Sequence, residues 1–347
     1  MRFRLFASIG MAMLIAFLLP MPRTISAQNG AGAAPASGGA PPAAPATPKA
    51  YPPYKRPVST YVPPRTPDGQ PDISGLYLAI PLPRSVETPR APAPARGGGR
   101  GVGEYSFNLN ERPKLPPGAE DRPMVVDPAD GIIPLTPQAL ARRREIIAHQ
   151  GQIEHLDGRV LCLPPGVIRS IIPAPVVGYQ IMQKPGYVVI FYEQSHLYRA
   201  IPVDGRPPLD PRIQKAMGVS RGHWEGNTLV VEVTNNTTTL ENDWVIGAVS
   251  ANPAFTADQL TTGHGIPHSE LYKVTERFTP MDKDIIHYEA TIEDPKVFTQ
   301  PWKVAYYAMT RAPKDYVPIE YACFEGNANN LLLMTDTDIS HVRVNVP

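Results

Sequence analysis

An acidic residue stands in line with apolar residues on one predicted strand. Alternate residues of a strand point to the same side, so Glu276 shares a face with Tyr272, Val274 and Phe278. A buried carboxylate must be paired, protonated or functional, because an unpaired charge in an apolar interior is costly. The sequence therefore predicts that Glu276 points inward, where it either transfers protons or pairs with an arginine such as Arg199.

Three further residues could take part in acid–base chemistry. Glu193 ends the apolar segment YVVIFYE, and His287 alternates with apolar neighbours in DIIHYEATI. His268 follows His264 in the glycine-rich loop TTGHGIPHSE, where a helix is disfavoured and no third ligand stands nearby, so no metal site is expected. We interpret this loop as the rim of a pocket. The candidate catalytic residues are thus Glu276, His268, His287 and Glu193.

Aromatic residues on the predicted strands could line the interior of such a site. Tyr187, Phe191, Tyr272 and Trp302 lie in or beside strand segments, and Arg199 supplies a cation. These five are the candidate substrate-binding residues. Aromatic side chains also fill ordinary cores, so a structural role is the alternative for each.

Two classes of function fit this set of residues. In the first, the protein is an enzyme that acts on a small organic molecule by Glu/His acid–base chemistry, in a lyase, isomerase or hydrolase step. In the second, it is a lipocalin-like binding protein whose carboxylates are structural. A third alternative is an envelope protein that uses a proline-rich leader for reach. No cofactor is expected, because the chain has no glycine-rich βα unit, P-loop or Gly-x-Ser-x-Gly elbow.

The candidate residues lie on strands that short turns connect. The segments YVVIFYE, HLYRAIPV, ELYKVTERF, DIIHYEATI and WKVAYYAMT are typical of strands, and HWEGNTLVVEVT is typical of a hairpin around Gly226 and Asn227. With a first strand at 73–80, the chain has about eight strands. The sequence predicts a mainly β protein, an antiparallel meander that forms a lipocalin-like (calycin-type) barrel or a sandwich.

One helix and an irregular leader precede most of these strands. The segment LTPQALARRREIIAHQG has Thr136 at the N-cap, Pro137 at the first helical position and Gly151 after the end, so it predicts a helix near 136–150 with its arginines on a solvated face. Residues 28–66 are rich in Ala, Pro and Gly and are expected to form a disordered tether. Residues 67–347 are then a single β-rich domain with an irregular N-terminal segment.

The N-terminus has the features of a secretory signal. Arg2 and Arg4 precede an apolar stretch, and Ile-Ser-Ala, which ends at Ala27, is a suitable cleavage site before Gln28. Residues 1–27 are therefore predicted to be a signal peptide and the protein to be periplasmic or extracellular, with an uncleaved membrane anchor as the alternative. After cleavage no membrane insertion is expected. The net charge of +1 does not favour nucleic acid as a partner, and a small-molecule ligand or substrate is the expected partner.

Six segments of the chain form a recognisable set, namely DGQPDISGLY, LPPG, GHWEGNTLVVEV, ERFTPMDKDIIHYEATIEDP, QPW and YACFEGN. Together they resemble segments of a large, mostly uncharacterised family of secreted bacterial proteins. The family is typified by DGxPDxSGxW and GxWEGDTLVVET segments and a CHEGN ending. The chain departs from that pattern at Tyr77, Asn227 and Phe324, where the family has Trp, Asp and His. The resemblance implies secretion and a β-rich fold, and it implies no catalytic residue.

The two cysteines of the chain give a testable prediction. In an oxidising compartment Cys162 and Cys323 are expected to form one disulfide, with a pair of buried free thiols as the alternative. The bond would close a long loop and stabilise the fold by roughly 4–5 kcal/mol at most. Alkylation of the unfolded, unreduced protein, read by mass spectrometry, should label neither cysteine. Labelling of both would refute the bond.

Overall fold

The strands form one antiparallel sheet that nearly closes into a barrel. A computed structural model describes residues 51–79, 86–88, 90, 122–149, 152–155, 162–171, 178–238, 257–258 and 264–318. The strands are β1 (Gly75–Ala79), β2 (Val125–Asp127), β3 (Gly178–Lys184), β4 (Tyr187–Tyr192), β5 (Leu197–Pro202), β6 (Val219–Glu225), β7 (Thr228–Thr234), β8 (Lys273–Pro280), β9 (Ile285–Glu293) and β10 (Trp302–Arg311). They are paired in the order β5-β4-β3-β1-β10-β9-β8-β7-β6, and β2 pairs with β10. The predicted mainly β, antiparallel, barrel-like fold is confirmed.

Side chains close the barrel between β5 and β6, the two ends of the hydrogen-bonded strand order. Arg199 on β5 donates a hydrogen bond to the hydroxyl of Ser220 on β6 at 3.1 Å. Gly222 on β6 faces Ile201 and Val203, and a Cβ atom at Gly222 would lie 2.9 Å from either side chain. The glycine therefore allows the two strands to approach each other closely.

Alternation along the strands directs one set of side chains into the barrel. Phe278, Tyr288 and Tyr306, on β8, β9 and β10, are buried. Their rings form edge-to-face pairs, with centroids 5.2 Å apart for Phe278 and Tyr288 and 5.7 Å apart for Tyr288 and Tyr306. Burial of each such side chain stabilises the fold by about 1.5–3 kcal/mol, so these strands share one aromatic core.

The strand β3 lies outside the strands that the sequence predicts, although it is central to the sheet. It pairs with both β1 and β4. Its buried residues Tyr179 and Ile181 alternate with exposed Gln180 and Met182, so the apolar pattern is short and mixed.

The turn between β6 and β7 is found where predicted, with Gly226 at a φ of 60°, a left-handed conformation that glycine adopts without strain.

The predicted helix α1 (Pro137–Ala148) begins where expected, since the hydroxyl of Thr136 accepts a hydrogen bond from the amide of Ala139 at 3.2 Å. Its arginines are not all solvated. Arg143 is fully buried, forms an ion pair with Glu87 and donates to the carbonyl of His264 at 3.0 Å. The prediction of a solvated arginine face is therefore wrong for this residue, which anchors the helix to the domain.

The short helix α2 (Val167–Ile171) lies at the end of the barrel where β3 begins. All five of its residues are buried. The hydroxyls of Tyr179 and Tyr306 both donate to the carbonyl of Ile171 at 3.0 Å, which ties the last turn of the helix to β3 and β10. Two 3₁₀ helices, Ile153–His155 and Gln194–His196, complete the described helices. No helix in the described ranges is long and apolar enough to cross a membrane.

Residues 51–66, here called the strap, lie against the outer face of β9 instead of forming part of a disordered tether. Tyr54 donates a hydrogen bond to the carboxylate of Glu289 at 3.0 Å, and Arg56 donates to it through Nε at 2.9 Å. The tether prediction is wrong for these residues, because their composition cannot form a core alone but suits docking on a folded surface. The rest of the predicted tether and the signal peptide, residues 1–50, lie outside the described residues.

His287 points away from the barrel interior, on the face of β9 where the strap contacts Glu289, and it is nevertheless only 4% exposed. Burial lowers the pKa of His287 to about 4, and the charges of Glu289 and Arg56 act on it in opposite directions. The ring is therefore neutral at pH 7 in the folded protein.

Acid should destabilise the fold through His287. In the unfolded chain the ring takes up a proton near pH 6.5, but in the folded protein it does so only near pH 4. The neutral ring therefore makes its full contribution to the free energy of unfolding above pH 6.5. As the pH falls to 4 this contribution is lost, which lowers the free energy of unfolding by up to about 3 kcal/mol. Urea unfolding at several pH values should show this slope, and His287→Leu should flatten it. An equal dependence of the free energy of unfolding on pH in both proteins would contradict the burial of His287. The control is His223→Leu, at an exposed position, which should keep the slope of the unsubstituted protein.

Candidate functional site

Glu276 lies inside the barrel and forms an ion pair with Arg199. It is fully buried on β8 between Val274 and Phe278, on the face that strand alternation predicts. Its carboxylate oxygens accept hydrogen bonds from both amino groups of the guanidinium, Oε1 from Nη1 at 3.1 Å and Oε2 from Nη2 at 2.5 Å. Such bidentate contacts are among the strongest that arginine makes with a carboxylate. Of the two alternatives for Glu276, the structure contains the ion pair.

Three more polar side chains complete this interior cluster, which consists of Tyr192, Arg199, Ser220, Glu276 and Tyr288. Tyr288 donates to Oε1 of Glu276 at 2.9 Å. Arg199 donates to the hydroxyls of Tyr192 and Ser220, both at 3.1 Å. The cluster thus joins β4, β5, β6, β8 and β9 across the interior. Among the side-chain polar atoms of this cluster, Nε of Arg199 is the one that has no hydrogen-bond partner in the described structure.

The ionisable groups of the interior cluster interact strongly with one another. Burial alone would lower the pKa of Arg199, but the facing groups Glu276 and Tyr192 raise it above its ordinary value. Burial raises the pKa of Tyr192 to about 12 and that of Tyr288 well above its ordinary value. At neutral pH the two phenols are therefore uncharged, and Glu276 would have to leave the Arg199 guanidinium before it could transfer a proton.

Two other candidate catalytic residues, Glu193 and His268, contact other parts of the domain. Glu193 is buried just after β4, where its carboxylate accepts hydrogen bonds from the amide of Gly178 and from the hydroxyl of Tyr316 at 2.7 Å. His268 is half-buried, and its ring centroid lies 5.0 Å from that of Tyr272. These contacts fasten a segment after β10 and the loop before β8 to the barrel.

The structure does not bring all four candidate catalytic residues to one site. Glu276 points into the barrel, and Tyr288 beside it on β9 does the same. His287 precedes Tyr288 on β9 and therefore points to the outer face, the face on which the strap contacts Glu289. Acid–base chemistry that combines Glu276 with His287 would have to act across the thickness of the sheet.

The predicted inward orientation of Tyr187 and Phe191 is wrong. The buried residues of β4 are Val188, Ile190 and Tyr192, and the two aromatic residues alternate with them on the half-buried outer face. Because both faces of this strand are apolar, its sequence shows the alternation but not which face is inside.

The remaining candidate binding residues, Arg199, Tyr272 and Trp302, are buried. The ring of Trp302 packs edge-to-face against that of Phe298, with centroids 5.4 Å apart. The ring of Tyr272 packs against that of His268, and the carbonyl of Tyr272 accepts a hydrogen bond from Asn236 at 3.3 Å. These three residues belong to the packed core and the interior cluster.

An open cleft of about 700 Å³, here called the mouth cleft, lies at one end of the barrel. This end contains the start of β1, the turn from β8 to β9 and the end of β10, and the strap forms a further wall. The lining residues are Tyr61, Pro64, Asp72, Ser74, Lys283, Asp284, Thr310, Arg311, Ala312, Pro313 and Lys314. None of them is among the candidate residues that the sequence indicates, because most lie in turns and at strand ends, where no periodic pattern marks them.

Arg311 is held in a fixed orientation on one wall of the mouth cleft. Its guanidinium carbon lies 4.9 Å from the ring centroid of Tyr77, and Nη2 donates to the hydroxyl of that tyrosine at 3.1 Å. Nε donates to the carbonyl of Lys283 at 3.0 Å. A Cβ atom at Gly75 would lie 2.2 Å from Nη1 of Arg311, so only glycine leaves room for the guanidinium there.

Neither a metal centre nor the disulfide can be assigned from the described part of the chain. Within it, no group of three or more His, Cys, Asp or Glu side chains is arranged to hold a metal ion. Cys323 lies outside the described residues, so its pairing with Cys162 stays a prediction.

Loss of the charge on Glu276 should destabilise the fold. Glu276→Gln preserves the shape of the side chain but leaves the Arg199 guanidinium buried without its counter-ion, so the free energy of unfolding should fall by roughly 3–5 kcal/mol in urea denaturation. The double variant Arg199→Met/Glu276→Leu should recover most of this loss, since an apolar pair needs no counter-ion.

Glu225→Gln is the matched control, because that glutamate pairs with Arg277 at the surface, where it is about half exposed. This change should cost less than about 1 kcal/mol. If Glu276→Gln is as stable as the control variant, the ion pair does not stabilise the barrel.

Comparison with known proteins returns no match to a family model, a curated protein or a solved structure.

Proposed function

We propose that the protein is a lipocalin-like binding protein that takes up a small organic molecule in the mouth cleft. The observation that carries this proposal is the cleft, an opening of about 700 Å³ at one end of a barrel. Small-molecule sites typically have volumes of about 300–1,000 Å³ and often lie at the mouths of β-barrels. The size and the position of the mouth cleft both fit this class of site.

The walls of the mouth cleft combine apolar and polar groups as such sites do. Tyr61 and Pro64 of the strap and Pro313 after β10 offer apolar surface. Ser74 and Arg311 offer polar groups on the wall formed by the start of β1 and the end of β10. Because Arg311 is clamped by Tyr77 and by the backbone at Lys283, this wall is ordered before any ligand arrives, which lowers the entropic cost of binding.

Binding is better supported than catalysis by a lyase, isomerase or hydrolase step. Glu276 is held by Arg199, and His287 lies on the other face of the sheet. Both carboxylates at the mouth cleft also have partners, since Asp72 accepts hydrogen bonds from Ser74 and Asp284 pairs with Lys283. An acid and a base poised side by side, which proton transfer requires, are not found among the candidate residues.

Export to the periplasm or the cell exterior is part of the proposal. It is supported by the signal-like N-terminus and by the resemblance of segments such as DGQPDISGLY and GHWEGNTLVVEV to a family of secreted bacterial proteins. A carrier in that compartment would meet small organic molecules from outside the cell.

Filling the mouth cleft should abolish binding. The neutral fluorescent probe phenylnaphthylamine should bind the protein with increased emission, and Ala312→Trp, which places an indole in the cleft, should weaken binding at least about tenfold, or by about 1.4 kcal/mol. Ala200→Trp, at an exposed position on β5, is the matched control and should bind as the unsubstituted protein does. Equal binding by the two variants would contradict the proposal, as would the absence of any binding to the unsubstituted protein.

A further inference from the structure

We infer that the ligand of the mouth cleft is an organic anion, a molecule with an apolar body and one carboxylate or sulfonate group. This inference rests on the proposed function and adds the chemical class of the ligand. It is carried by the charges that line the cleft and by their partners. Lys283, Arg311 and Lys314 supply three cations, and Asp72 and Asp284 supply two carboxylates.

Both carboxylates are already engaged by the protein. Asp72 accepts hydrogen bonds through Oδ1 from the amide of Ser74 at 2.9 Å and from its hydroxyl. Asp284 pairs with Lys283 at 2.5 Å, and its other oxygen lies 3.7 Å from Nε of Arg311. Asp284 therefore stands between two cations, and the charged groups that line the cleft leave one excess positive charge, which favours an anionic ligand over a cationic one.

Lys314 is the cation of the cleft that is most available to an anionic ligand. It is exposed at the rim of the cleft and forms no ion pair with any residue in the described ranges. A flexible ammonium group of this kind can turn to meet an incoming anion. Charges of one sign at a cleft also raise the local concentration of ligands of the opposite sign.

Tyr77, beneath the Arg311 guanidinium, adds no negative charge. Burial raises its pKa to about 12, so the phenol is neutral at physiological pH. The hydroxyl of Thr310, at the wall of the cleft, is buried and has no hydrogen-bond partner in the described structure. It is a further polar group for which a ligand oxygen would be a suitable partner.

Uncharged residues of the cleft can contact the apolar part of the ligand. Tyr61, Pro64 and Pro313 line the cleft without adding charge. An organic anion can lay its body on these residues and direct its charged group towards Lys314 and Arg311. Inorganic anions would lack the apolar contact, and neutral molecules would lack the charge contact.

Two fluorescent probes of nearly equal shape test the inference. Anilinonaphthalene sulfonate carries a sulfonate that phenylnaphthylamine lacks. At low salt the anionic probe should bind the unsubstituted protein about fivefold to tenfold more tightly than the neutral one, and added salt should weaken the anionic probe alone. Lys314→Met should remove most of this preference, because it should weaken the anionic probe several times more than the neutral one. Lys184→Met, at an exposed lysine of β3 outside the cleft, is the control and should change neither affinity.

The outcomes separate the inference from the proposed function. If both probes bind with equal affinity and both are excluded by Ala312→Trp, the protein is a binding protein without anion preference and the inference is wrong. If Lys314→Met weakens both probes equally, the lysine has no charge-specific role and the inference is again wrong. If neither probe binds, the proposed function fails together with the inference.

Discussion

The barrel depends on the ion pair between Arg199 and Glu276. Main-chain hydrogen bonds join neighbouring strands from β5 to β6 in one continuous order, but they leave the two ends of that order to be joined by side chains. Arg199 stands on β5 at one end, and Ser220, which accepts from it, stands on β6 at the other. Glu276 holds the same guanidinium from β8. One guanidinium therefore connects β5, at one end of the strand order, to β6 and β8 at and near the other end.

An ion pair in such a position is costly to bury, and its surroundings explain how the fold tolerates it. Removing two charges from water costs several kcal/mol per ion, which mutual attraction offsets only when the geometry is good and the remaining polar atoms are satisfied. The bidentate contact supplies the geometry, and the hydroxyls of Tyr192, Ser220 and Tyr288 supply neutral partners that add no further charge. These contacts occupy both carboxylate oxygens of Glu276, so a structural role and a catalytic role compete for this residue.

Sequence patterns predict the class of fold and the orientation of Glu276, but they do not predict the site. Tyr272, Val274 and Phe278 fix the phase of β8 because the opposite face of that strand is polar or half-exposed. The same reasoning fails for Tyr187 and Phe191 because both faces of β4 are apolar. Composition likewise misassigns residues 51–66, since it measures whether a segment can form its own core and not whether an existing surface will hold it. The cleft residues lie on turns and strand ends from distant parts of the chain, and only tertiary structure brings them together.

A second buried guanidinium supports the proposal that the ligand site lies at the mouth of the barrel. Arg143 on α1 pairs with Glu87, which also pairs with Arg90, so the helix is fastened to the domain by the same chemistry that closes the barrel. In both places the carboxylate is fully buried and fully used by protein partners. Charges of this kind cannot turn towards a ligand without a loss of folding stability. At the mouth cleft, by contrast, Arg311 is oriented by a tyrosine and by backbone carbonyls, and Lys314 remains exposed. The cations available to a ligand are therefore those that do not form a buried ion pair with a carboxylate. Arg311 and Lys314 are of this kind, and they lie at the open end of the barrel, whereas the charged groups inside it are already paired with each other.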